Sequence, residues 1–123
     1  MLKSTVLILC TLLSSALAFA QEAELSFDHK VHKFDKVEEG EQLEHVFPFT
    51  NTGDAPLIIT KYDVECVCTK AFFPKEPILP GESAEVRVTF DTEGKIGWQY
   101  RTIKLYSNSK NPVTEIELRV KVK

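Results

Sequence analysis

Apolar and polar side chains alternate over most of the chain beyond residue 24. In residues 42–50, Leu43, His45, Phe47 and Phe49 fall on one face and Val46 and Pro48 on the other. A period of two is the mark of a half-buried β-strand. Residues 84–90 repeat it, with Ala84, Val86, Val88 and Phe90 set against Glu85, Arg87 and Thr89. In residues 113–122, Ile116, Leu118, Val120 and Val122 alternate with Glu117, Arg119 and Lys121. Residues 98–106 form another strand, in which Tyr100 and Arg101 lead into Ile103 and Leu105, and residues 57–60 a short β-branched one. Residues 25–28 and 31–37 alternate more loosely and predict an edge strand with a break at His29-Lys30. Pro48 has no N–H to give a ladder, so it predicts an edge or a bulge at its position.

The punctuation between these runs supports the same reading. Glu38-Glu39-Gly40-Glu41, Asn51-Thr52-Gly53-Asp54-Ala55-Pro56, Glu93-Gly94-Lys95 and residues 108–112 are turn signals. Leu79-Pro80-Gly81-Glu82 has proline second and glycine third, as a type II turn requires. Pro74, Pro77 and Pro80 exclude a long helix there. About seven strands with a turn every 8–12 residues predict an all-β, antiparallel sandwich.

The first twenty residues do not belong to that pattern. A basic start at Lys3, an uncharged run from Val6 to Phe19 and the ending Ala18-Phe19-Ala20 are the three parts of a secretory signal peptide. The run is short for a membrane span, which needs about 20 residues. Leu9 ahead of Cys10 does not fit a lipoprotein signal. The expectation is a signal peptide over 1–20, a single domain over 21–123 that does not span a membrane, and export to the periplasm, the cell envelope or the medium. The net charge of −3 is spread among both signs, with no basic face to attract nucleic acid.

Candidate chemistry is sparse. Beyond the leader the only cysteines are Cys66 and Cys68. On a regular strand, residues i and i+2 lie about 6.6 Å apart on one face. A disulfide needs Cβ atoms about 3.8 Å apart. A bridge therefore requires a bend at Val67, and closing so small a loop contributes only about 1.5 kcal/mol by chain entropy. Two thiolates with His45 would suit copper(I) or zinc, so Cys66, Cys68 and His45 form the candidate metal set. They fall short of four ligands and of the C-x-x-C of thiol oxidoreductases.

His29 and His32, three apart on a strand, would face opposite ways and make a poor chelate. Residues 51–54 are read as fixing their turn. No serine–histidine–acid or paired-carboxylate arrangement stands out. Phe72, Phe73 and Trp98 are aromatic residues that the alternation does not assign to the core, and they are candidates for partner binding. A free sheet edge could also take a partner's strand.

Four segments in order carry a resemblance: HVFPFTNTGDAPL, a cysteine pair followed by threonine, PILPGESAEVRVTFDT and YRTIKLYSN. Together they resemble a family of exported bacterial proteins of unknown function, DUF1573, whose pattern is N-T-G-x-x-P-L, C-G-C-T and P-G-E. The family is similar to the immunoglobulin-like domains of Hydin, abnormal-spindle and major sperm proteins, which implies the same sandwich. This chain departs from the pattern in having Val67 where the family has glycine. The resulting expectation is a non-catalytic binding or structural module of the cell envelope, with a protein partner and no cofactor. The rival is metal-handling or thiol-redox chemistry through Cys66 and Cys68.

Overall fold

The computed structural model describes residues 20–123; the expected signal peptide lies outside the described residues except for Ala20. Eight strands form: β1 (Leu25–Phe27), β2 (Val31–Lys33), β3 (Gln42–Asn51), β4 (Ile59–Val64), β5 (Thr69–Phe72), β6 (Ser83–Asp91), β7 (Gly97–Ser107) and β8 (Val113–Val122). They make two four-stranded sheets, ordered β1-β3-β6-β5 and β2-β8-β7-β4. The apolar faces of the long strands turn to the other sheet, burying Phe47, Phe49, Phe90, Ile103, Leu105, Ile116, Leu118 and Val120 almost completely. The fold is a β-sandwich, as the alternation predicts, and an immunoglobulin-like one, as the resemblance implies. No helix among the described residues is long and apolar enough to cross a membrane.

The count exceeds seven because the expected first edge strand is two strands in different sheets. β1 pairs antiparallel with β3. The chain then breaks at 28–30, where the sequence predicts it, and crosses so that β2 pairs parallel with β8. The crossing matters for the histidines described below.

Pro48 sits inside β3, opposite Glu85 of β6, with an unbroken register on either side. The expected edge or bulge is absent in that sense. The Pro48 carbonyl accepts a hydrogen bond from Asp28 N at 3.1 Å. In a strand a residue's N and C=O point to the same side, so the proline nitrogen faces the β1 side, where β1 has ended at Phe27. The missing donor falls where the neighbouring strand has run out.

Two of the turn motifs are tied together. Gly81 has φ +82° and Glu82 N donates to Leu79 O at 3.0 Å, which closes the predicted type II turn. Gly81 N donates to Asn51 O, and Asn51 N to Glu82 O. The Asn51 side chain is fully buried. Its amide donates to Ala55 O and Ile78 O, and its oxygen accepts from Gly53 N and Glu24 N. The polar run 51–54 thus fixes the turn, and also anchors the segment leading into β1.

Candidate functional site

Cys66-Val67-Cys68 lies in the turn where the chain leaves β4 in one sheet and enters β5 in the other. The regular strand assumed in the sequence argument is not present. Cys66 and Cys68 form a disulfide with Cα atoms 5.1 Å apart. The required bend exists without glycine, because no residue other than glycine has positive φ among the described residues. Val67 is instead turned outward and is 93% exposed. Thr69 N donates to Cys66 O at 3.1 Å, and Asp91 N to Cys68 O at 2.9 Å. Cys68 also packs on the core. The bridge closes a sheet-to-sheet corner.

The expected metal set is not assembled. Both sulfurs are committed to each other, and a bridged sulfur is no thiolate ligand. His45 lies on β3, separated from β5 by β6, and its ring contacts are elsewhere. No group of three His, Cys, Asp or Glu side chains able to hold a metal ion occurs among the described residues.

What His45 meets is the other two histidines. His29 lies in the crossing between β1 and β2, His32 on β2, and His45 on β3 beyond the end of β1. His29 Nε2 and His45 Nε2 are 2.8 Å apart, a hydrogen bond in which one nitrogen carries the proton. The His32 and His45 rings stack at 3.6 Å with 8° between planes. Phe34 and Phe47 close on them edge-on. The expectation that His29 and His32 point apart is corrected for a structural reason: they do not share a strand. Burial, then the nearby His32 and His29, lower the His45 pKa to about 4. Burial, then His29, lowers that of His32. No sequence spacing signals this cluster, which arises from the strand changing sheets.

The aromatic candidates divide between two surfaces. Phe72 is on the outer face of the edge strand β5, with the Arg87 guanidinium 4.2 Å from its ring centre. Phe73 turns inward, packs on the core and meets Tyr62 edge-on at 6.3 Å. Trp98 is on the outer face of β7 in the other sheet. It stacks with Tyr100 at 6.3 Å, and Lys33 lies 5.2 Å over its ring. Trp98, Tyr100 and the adjacent Ile96 are 48%, 58% and 79% exposed. Arg119 and Lys121 stand opposite Tyr100 and Trp98 on β8. Phe72, Phe73 and Trp98 therefore do not form one patch. Tyr100 belongs with Trp98, and its i+2 spacing was the available signal.

Solved structures share this fold at low sequence identity. A protein of unknown function from Porphyromonas gingivalis W83 is similar with TM-score 0.72 and 20% identity, over 87% of this chain and 50% of that one. The secreted serine protease VesC from Vibrio cholerae is similar with TM-score 0.62 and 18% identity, over 80% of this chain and 23% of that one. The ASH/PapD-like domain of human CEP192 is similar with TM-score 0.62 and 12% identity, over 87% of this chain and 90% of that one. The chain thus spans half the length of the first and about a quarter of the second, and at these identities the likeness is one of fold. No curated protein matches the sequence significantly. The family model for the protein of unknown function DUF1573 matches residues 25–122, so the chain belongs to that family.

Proposed function

We propose that this chain is an exported, non-catalytic binding module of the cell envelope, and that it docks a protein partner on the outer face of β7. The observation that carries the reading is the stacked Trp98–Tyr100 pair, two large side chains in contact in solvent, with Ile96 exposed two residues ahead of Trp98. Isolated exposed apolar residues are ordinary on a sheet, whereas a contiguous group of them marks an interaction surface. Trp and Tyr bring large, rigid contact area at low entropic cost. Lys33, Arg119 and Lys121 around the pair favour a partner surface with acidic groups. Export is supported by the leader pattern of residues 1–20 and by the Cys66–Cys68 bridge, which an oxidising compartment would preserve.

The test is affinity capture from an envelope extract with the native protein and with Trp98→Ala/Tyr100→Ala. Both side chains are exposed, so the double variant should keep the native unfolding midpoint. Loss of a captured partner supports the face, and unchanged capture of every partner overturns it.

A further inference from the structure

The open side of the sandwich, where β1 has ended and the chain crosses to β2, is closed by the three histidines of the chain. Their arrangement is directional. His29 and His45 come from separate segments and turn the same ring nitrogen, Nε2, toward each other at 2.8 Å. An ion about 2.0–2.1 Å from each of two neighbouring imidazole nitrogens holds them about 2.9–3.4 Å apart. With ring centroids 5.1 Å apart the two nitrogens face each other nearly in line, so the exposed His29 ring has to tilt, as well as open by a few tenths of an ångström, for an ion to take the place of the shared proton. His32 stacked on one face of the His45 ring and Phe47 edge-on against it hold that ring in place. His29 is exposed, so an ion has a path in from solvent.

We propose that His29 and His45 form a two-histidine site for a divalent transition-metal ion. Imidazole nitrogen favours Cu²⁺, Ni²⁺ and Zn²⁺ over the oxygen-seeking Mg²⁺ and Ca²⁺, and Cu²⁺ binds most tightly in that series. No third protein ligand converges among the described residues, so the remaining positions go to water or to donors brought by another molecule. The site is of the open, exchangeable kind and not a structural cage. It is independent of the Trp98 face and does not use Cys66 or Cys68.

The experiment is calorimetric titration of the purified protein, carrying no polyhistidine tag and freed of metal, with CuCl₂, NiCl₂, ZnCl₂ and MgCl₂. The unfolding midpoint is followed with and without each ion. One ion per chain is expected for Cu²⁺, Ni²⁺ and Zn²⁺, tightest for Cu²⁺, with no response to Mg²⁺ and a raised midpoint when metal is bound. His29→Ala, at an exposed position, should weaken binding at least about tenfold and abolish the midpoint shift. Nitrogen hyperfine structure in the spectrum of the Cu²⁺ complex should report two imidazoles in the native protein and one in His29→Ala. The site is overturned if no stoichiometric binding is found, or if His29→Ala binds as the native protein does. It is equally overturned if Cys66→Ser/Cys68→Ser loses the ion while His29→Ala keeps it.

Discussion

Gly53 lies flat against Glu22: a Cβ added to the glycine would stand 2.2 Å from the Glu22 carbonyl oxygen. The same added atom would be 2.6 Å from Glu24 N and 2.7 Å from Ala23 C. The glycine of the N-T-G turn is there for close approach of two backbones, and its φ is not positive. Asp54 and Thr52 complete the contact, with Asp54 N donating to Glu22 O and Thr52 N to Glu24 O. The Asp54 carboxylate accepts from Glu22 N. Gly53→Ala should therefore push residues 22–24 off the turn and cost about 2–3 kcal/mol, read as a lowered urea midpoint. A midpoint unchanged from the native protein would show that this strap contributes nothing.

Asn51 is the second fixed point of the same turn. Replacing it with alanine removes the donors to two carbonyls, Ala55 O and Ile78 O, and the acceptor for Gly53 N and Glu24 N. Unpaired buried polar groups cost about 1–3 kcal/mol each. Asn51→Ala should thus destabilise the fold by about 3 kcal/mol. Asn51→Asp keeps one acceptor but sets a carboxylate oxygen against the Ala55 and Ile78 carbonyls in a buried place, so in denaturant titrations at neutral pH it should be no more stable than Asn51→Ala.

The disulfide is expected to matter much less to stability. Its loop is so short that the chain-entropy gain is about 1.5 kcal/mol at most. The corner it closes is also held by Thr69 N to Cys66 O and Asp91 N to Cys68 O. Cys66→Ser/Cys68→Ser should lower the unfolding free energy by about 1 kcal/mol and leave the fold intact. Intact mass before and after thiol alkylation under denaturing conditions checks the bridge itself. Two reactive thiols in the unreduced protein would contradict it.

Much of this architecture is legible in the alternation of side chains. Residues 42–50, 84–90 and 113–122 read as strands because one face of each is buried against the opposite sheet. The type II turn at Pro80-Gly81 is legible for the same local reason, since its backbone demands those residues. What the sequence hides depends on pairing across sheets. The break at His29-Lys30 is visible, but nothing in it says that β2 joins β8 and not β3. Consequently the meeting of His29, His32 and His45 is invisible, and the candidate set of Cys66, Cys68 and His45 brings together side chains that the fold keeps apart. The Cys66-Val67-Cys68 bend is misjudged by strand geometry because the corner between sheets interrupts the strand.

The histidine cluster also sets the response of the metal-free protein to acid. Burial, with His32 and His29 nearby, holds the folded-state pKa of His45 at about 4, below the 6.5 of a free histidine side chain. His32 shifts the same way. Between those values the unfolded chain binds more protons than the folded one, so stability falls as pH falls. The contribution of the cluster is therefore fully present above about pH 6.5 and is lost progressively toward pH 4. Physically, a charged His45 must give up solvent for the Phe47 ring and meet two neighbouring imidazoles. In chelator-containing buffer the urea midpoint should drop between pH 7.5 and pH 5. His45→Gln, which keeps a polar side chain but cannot protonate, should flatten that drop while lowering the midpoint at pH 7.5. An equal drop in the native protein and in His45→Gln would assign the acid sensitivity to other groups.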